Sequence, residues 1–316
     1  MSAPVTDYYE QISGRGRTAN YIVWGGKDMR KIGTGKGIYI EHYPSRPRPA
    51  RKIETESVPG RNGDIIFVQD AWENYDQEYE IAFGTAKDSS TYTWSGQMSL
   101  LAHEVAEWLF QPEGYQMLYD SYEPETFRLA YFKGPYDVES ILNRYGRATI
   151  TFTCKPQRFL FSGEVQTVYC PNTQFTSYNS QYPDGVIVKD GQNCDAYVKT
   201  TSKSIVLTNP TKFNARPYFY IYGQKANTSG TFTIQNGSGL KTIIIVSQIN
   251  DFMRIDCDTM NVYRSNDQNR NNLVTIQTDP NSAPLTFPVF TPGANTITWS
   301  GSDVPAIAIR PRWWTL

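Results

Sequence analysis

The chain has 316 residues, room for two domains of ordinary size. Its 39% hydrophobic and 14% aromatic content can build packed cores, which excludes disorder as the main state. With 30 basic against 31 acidic residues the formal charge is −1, so no basic surplus exists to neutralise a phosphate backbone, and specific nucleic-acid binding is not expected.

No apolar run approaches the ~20 residues that a membrane helix needs, so no membrane partner is expected. The opening MSAPVTDYYEQ has no basic stretch followed by an apolar one, so we expect no signal peptide and synthesis in a cytoplasm. Tyr21–Gly26 (YIVWGG) reads as a strand and turn. Gly33–Gly37 (GTGKG) has the flavour of a phosphate loop but lacks the G-x-x-x-x-G-K-[ST] spacing, so it reads as a turn. The basic, Pro-rich Arg46–Lys52 (RPRPARK) reads as a solvated extended loop. In Val58–Gly63 (VPGRNG) a Pro-fixed φ sits beside glycines able to reach φ > 0, which suits a tight turn presenting a strand edge, and Arg61 there can bind a neighbour's carboxylate or carbonyl.

Tyr79, Ile81 and Phe83 alternate with polar or small residues, as in a half-buried strand. Gln97–Phe110 (QMSLLAHEVAEWLF) repeats Met98, Leu101, Val105, Trp108 and Leu109 at helical spacing, with Pro112 and Gly114 as stop signals. It predicts one amphipathic helix across a sheet, with Trp108 as a core anchor. Its His103-Glu104 pair begins like a zinc-protease helix, but Glu107 stands where the second histidine belongs. In Arg147–Cys154 (RATITFTC), Ala148, Ile150, Phe152 and Cys154 share one face, placing Phe152 in the core.

Near residue 162 the composition shifts to a polar region rich in Asn and Gln, and charged residues become sparse. This predicts two domains, 1–162 and 163–316, with a polar linker or insertion at about 163–195. Further alternating strands follow at Phe232–Ile234 and Ile297–Trp299, while Lys241–Val246 (KTIIIV) reads as a strand covered on both faces. At the C-terminus, Ile307, Ile309 and Trp313 are expected in the core, and Pro311 forces an edge or a break. Cys154, Cys170, Cys194 and Cys257 show no C-x-x-C spacing and read as reduced core thiols. No catalytic constellation, metal site or cofactor is expected.

Several landmarks fall in the order found in one family. Tyr21–Gly26, Ile53–Ile65 (IETESVPGRNGDI), the Tyr79–Phe83 strand, a helix ending in Trp108-Leu109, Leu118–Asp120 (LYD) and Phe152–Pro156 (FTCKP) together resemble the N-terminal domain of siphophage distal tail proteins. Ile205–Pro217 (IVLTNPTKFNARP), Phe219–Gly223, Pro292–Gly301 (PGANTITWSG) and Ile309–Leu316 are similar to that family's C-terminal galectin-like sandwich. The resemblance implies a mainly β fold: an N-terminal β domain with one amphipathic helix, then a galectin-like β-sandwich. It implies a non-enzymatic structural role in the virion, at the tip of a long non-contractile tail. The chain would form a homohexameric ring, the baseplate hub joining the tail tube protein to the tail-associated spike or lysin and to receptor-binding proteins, with DNA passing through it.

Pro59, Gly60, Arg61 and Gly63 are then candidates for inter-subunit contact, and Trp108, Phe152, Trp299 and Trp313 for the structural core. The alternative is a carbohydrate-binding module aiding host attachment, suggested by the Tyr218, Tyr220 and Tyr222 stripe.

Overall fold

The structure, a computed structural model, describes residues 21–33, 38–84, 94–142, 145–170, 196–199, 202–222, 228–249, 252–264, 268–279, 286–301, 304 and 306–316. It is mainly β, and it divides into two compact units. The first runs to Arg158 and includes Leu316; the second spans Phe159–Thr315. Most of the predicted turn at 33–37, the core of the polar linker at 171–195 and Cys194 lie outside the described residues. Among the described residues no helix is long and apolar enough to cross a membrane, and no cluster of His, Cys, Asp and Glu could hold a metal.

In the first unit the order is β1 (Ile22–Trp24), β2 (Lys27–Asp28), β3 (Ile38–Ile40), β4 (Arg51–Glu56), β5 (Ile65–Trp72), β6 (Tyr75–Gly84), helix α1 (Trp94–Phe110), β7 (Gln116–Asp120), β8 (Thr126–Phe132), β9 (Glu139–Leu142) and β10 (Tyr145–Leu160). One sheet runs β2-β1-β7-β8-β10-β6-β3, with β9 also on β10. The long β6 and β10 pair antiparallel, with Ile150 opposite Tyr79 and Phe152 opposite Gln77. Period two does the sorting: Ala148, Ile150, Phe152 and Cys154 are buried, while Arg147 and Thr149 face out. Phe152 is fully buried among Trp24, Phe132 and Tyr79, with ring centroids at 4.8, 5.5 and 6.1 Å.

Helix α1 starts three residues before the predicted Gln97 and buries Met98, Leu101, Val105, Trp108 and Leu109. Its end is fastened to β1 by two indoles. Trp108 Nε1 donates to Trp24 O and Trp24 Nε1 donates to Leu109 O, each at 3.2 Å. Burying an indole leaves its N–H in need of an acceptor, and the carbonyls of Trp24 and Leu109 supply one to each ring.

The second unit contains α2 (Phe161–Glu164), β11 (Thr167–Cys170), β12 (Ala196–Lys199), β13 (Ser204–Asn209), β14 (Tyr218–Tyr222), β15 (Thr228–Gln235), β16 (Lys241–Ile249), β17 (Phe252–Asp256), β18 (Asn261–Arg264), β19 (Gln268–Asn269), β20 (Val274–Asp279), β21 (Gly293–Ser300), β22 (Ala306–Arg310) and β23 (Trp314–Thr315). Two sheets, β12-β11-β22-β14-β17-β18-β19 and β13-β21-β15-β16-β20, enclose one apolar core. Phe219, Ile255 and Ile307 enter it from the first sheet, and Phe232, Ile244 and Trp299 from the second. Two asparagines in the sequence landmarks build its corners. Buried Asn295 donates to Thr291 O and Gly293 O, both at 2.9 Å, and buried Asn209 donates to Phe213 O at 2.9 Å.

Two sequence expectations need correcting here. Lys241–Val246 is not covered on both faces. Thr242, Ile244 and Val246 are buried but Ile245 is 39% exposed, because the outer face of β16 belongs to a sheet with its core on one side only. Tyr220, expected in an exposed stripe, is buried on the face opposite Phe219 and Ile221, flanked by Arg254 of β17 and Ala308 of β22. Tyr218 lies beneath the Arg312 guanidinium, 4.6 Å from its centroid, and burial pushes its phenol up to about 12.

The thiols of Cys154 and Cys257 are free and buried. Burial pushes the Cys154 thiol up to about 12, so the folded chain keeps a proton that the unfolded chain releases at lower pH. This thiol therefore contributes stability below its unfolded pKa, and that contribution is lost as pH rises toward the folded value. At about pH 8, iodoacetamide is expected to leave Cys154 unmodified in the native protein and to label it fully in urea. Peptide mapping checks this, and native labelling at the unfolded rate would show the site to be open.

Candidate functional site

The hairpin β4–β5 stands apart from the core of the first unit. It forms a two-stranded sheet of its own, and β4 is exposed along its whole length. Its register places Ile53 opposite Val68 and Thr55 opposite Ile66 on one face, with Glu54 opposite Phe67 and Glu56 opposite Ile65 on the other. Ile53, Ile66, Phe67 and Val68 are exposed by 50, 61, 50 and 55%. An isolated two-stranded ribbon is marginal in water, and clustered exposed apolar side chains mark interaction surfaces. The arm thus joins an isolated strand pair to large exposed apolar side chains.

The predicted contact residues Pro59, Gly60, Arg61 and Gly63 all lie at the exposed tip of the arm. Val58–Arg61 is a tight turn closed by Arg61 N donating to Val58 O at 3.1 Å. Gly60 has φ 82° with open space where a Cβ would sit, so the left-handed backbone alone calls for glycine there. The predicted core residues lie elsewhere: Trp108 and Phe152 are buried in the first unit, Trp299 and Trp313 in the second.

At the root of the arm lies a cluster that sequence reasoning missed. Arg128 and Arg158 are almost fully buried, and Glu123 lies between them. Arg158 Nη1 contacts both Glu123 oxygens at 2.5 and 2.7 Å, and Arg128 also pairs with Glu123. Arg128 Nε donates to Tyr75 Oη at 3.1 Å, and Tyr79 Oη donates to Asp120 Oδ2 at 3.0 Å. Burial raises the Asp120 carboxyl above its ordinary range, against the Tyr122 N–H and Arg128, which favour its charge. Burial also works against the Arg128 charge, but Tyr79, Tyr75, Glu123 and Asp120 hold its pKa above the usual value.

The segment Arg46–Lys52, expected as a solvated loop, is only partly so. Arg46 and Arg48 are exposed, but Pro49 is buried, Arg158 Nη2 donates to Pro47 O at 2.9 Å, and Arg51 and Lys52 belong to β4. The run of prolines was the available signal. Its binding partners lie far off in sequence. On helix α1, His103 Nε2 and Glu107 Oε1 are 3.4 Å apart on the exposed face, a surface pair of adjacent turns.

Residues 27–154 match the family of the phage tail protein RIFT-related domain, a segment that contains the arm, α1 and the paired stretch of β6 and β10. Over most of its length the chain shares its fold with the Dit protein of phage SPP1, described as a paradigm of hub adsorption apparatus in Gram-positive infecting phages. That likeness has a TM-score of 0.59 at 11% identity and covers 92% of this chain and 98% of the other. A chain of the phage P2 baseplate in its activated conformation with calcium is similar at a TM-score of 0.46 and 11% identity, over 92% of this chain and 96% of that one. No curated protein matches. The resemblance to siphophage distal tail proteins thus holds in a matched phage tail domain and in the fold.

Proposed function

We propose that this chain is a structural, non-enzymatic component of a phage tail tip, in which the first domain, residues 1–162, assembles with its own copies into a closed ring. The observation that carries this reading is the β4–β5 arm, a ribbon with four large apolar side chains exposed by half or more. A head-to-tail contact, in which each copy offers an arm and receives one, closes into a ring without leaving a free arm. Six copies, the galectin-like character of the second unit, and the tail tube, spike or lysin and receptor-binding neighbours rest on the family resemblance. The two-sheet sandwich of the second unit is compatible with that character. A sugar-stacking role for the Tyr218–Tyr222 strand finds no support, since Tyr220 is buried.

Electron microscopy and native mass measurement of the full chain, alone and in tails, test the proposal. Sixfold rings are expected, and Ile66→Asp with Val68→Asp should abolish both the rings and incorporation into tails while the fold stays intact. A tail reconstruction with single or threefold copies around the axis would overturn the ring. Normal incorporation of the double variant would overturn the role of the arm.

A further inference from the structure

We infer that Tyr43–Ala50 is a clamped strap that sets the direction of the arm, and that Glu123 is its positioning residue, acting through Arg158 and Arg46. This rests on the reading of the arm as an inter-subunit element. A ring of fixed number needs a fixed angle between each subunit's body and the element it extends. The arm's own strands pair only with each other among the described residues, so no ladder to the main sheet fixes that angle. The root must fix it.

The strap is built to be stiff and held. Pro44, Pro47 and Pro49 lock φ at three positions, and Pro44 and Pro49 are buried. Two buried donors grip carbonyls two residues apart. Gln77 Nε2 donates to Ser45 O and Arg158 Nη2 to Pro47 O, both at 2.9 Å. A buried guanidinium without a counter-charge is strongly unfavourable, and Glu123 supplies that charge to Arg158 through both oxygens.

The strap also reaches back to the same carboxylate. Arg46 Nε lies 3.7 Å from Glu123 Oε1, and its guanidinium covers the Tyr43 ring, which meets Tyr122 edge-on at 4.7 Å. At the far end, Glu73 N donates to Ala50 O at 2.8 Å and closes the arm where β4 begins and β5 has just ended. A continuous path therefore runs from Glu123 through Arg158, Pro47 and Ala50 to the hairpin. Among the described residues the ion-pair partners of Glu123 are Arg46, Arg128 and Arg158, which lie outside β4 and β5.

Amide hydrogen exchange on the full chain tests this, comparing wild type with Glu123→Gln. Exchange at the root, including the Glu73 amide, and through β4 and β5 should quicken about tenfold or more, with Ala148–Phe152 of β10 within about twofold. A merely structural role would instead raise exchange in the core and the arm together. Should Glu123→Gln fail to fold, Gln77→Leu removes the grip on Ser45 and reads the same amides. Unchanged arm exchange, or equal acceleration in β10, overturns the clamp. If the arm loosens locally but tail incorporation is unchanged, the clamp stands and the proposed use of the arm between subunits fails.

Discussion

Replacing Trp313 with alanine is expected to cost the second unit about 3–5 kcal/mol, the range for emptying a large aromatic site in a core that cannot collapse. Trp313 is 6% exposed and packs on Phe290 with ring centroids 5.6 Å apart. The backbone around it is committed as well. Its carbonyl accepts from Leu160 N at 2.8 Å, and a Cβ at Gly163 would come within 2.3 Å of its nitrogen. Neither neighbour can move in to fill the space.

Trp314 provides the control. It is only partly buried, stacks on Phe213 at 4.5 Å and 22°, and donates Nε1 to Asn214 O at 2.8 Å. Trp314→Ala should cost about 1–2 kcal/mol, so urea midpoints of the two variants should differ clearly. Equal losses, or a fully soluble Trp313→Ala protein with an unchanged midpoint, would remove Trp313 from the core.

That contrast shows what local sequence carries and what it does not. Alternation placed Ile307, Ile309 and Trp313 inward, and all three are buried. The strand breaks at Pro311, one of the two outcomes expected there, and Arg312 takes φ 58° before the chain turns back in. Arg312, which alternation places on the face opposite Ile307, Ile309 and Trp313, is itself 8% exposed, 3.5 Å from Glu164 and 3.2 Å from Asp258. Period-two strands and the α1 stripe are legible because neighbours in sequence decide them. The Gly60 and Gly63 turn is legible for the same reason. The Glu123 cluster is not, because Arg46, Gln77, Glu123 and Arg158 meet only after β6, β8 and β10 have folded, and a buried arginine leaves no period in sequence. The exposure of the arm was equally hidden. Ile65–Val68 (IIFV) is apolar enough to read as buried, and only the absence of a covering layer among the described residues distinguishes it.

Replacing Arg128 with leucine is expected to cost about 3–5 kcal/mol near neutral pH, because the change strands a buried carboxylate rather than merely deleting a contact. Arg128 is 1% exposed; it pairs with Glu123 and lies 3.8 Å from Asp120 Oδ2. Glu123 keeps Arg158, so Asp120 takes the larger loss, retaining among the described residues the Tyr122 N–H at 2.8 Å and the Tyr79 hydroxyl. Its carboxyl already lies above the ordinary range through burial, and losing the arginine raises it further. The folded variant then holds a proton that the unfolded chain has released, so its stability falls as pH rises through that window and returns below it. The gap between variant and wild type should therefore be narrower at about pH 5 than at about pH 7. Adding Asp120→Asn should recover part of the loss at neutral pH, since the amide oxygen still accepts from Tyr79 and carries no charge to bury. Urea unfolding of the wild type, both single variants and the double variant at both pH values reads this directly. A gap independent of pH, with no recovery in the double variant, would mean that Arg128 acts through packing of its stem and not through the charge of Asp120.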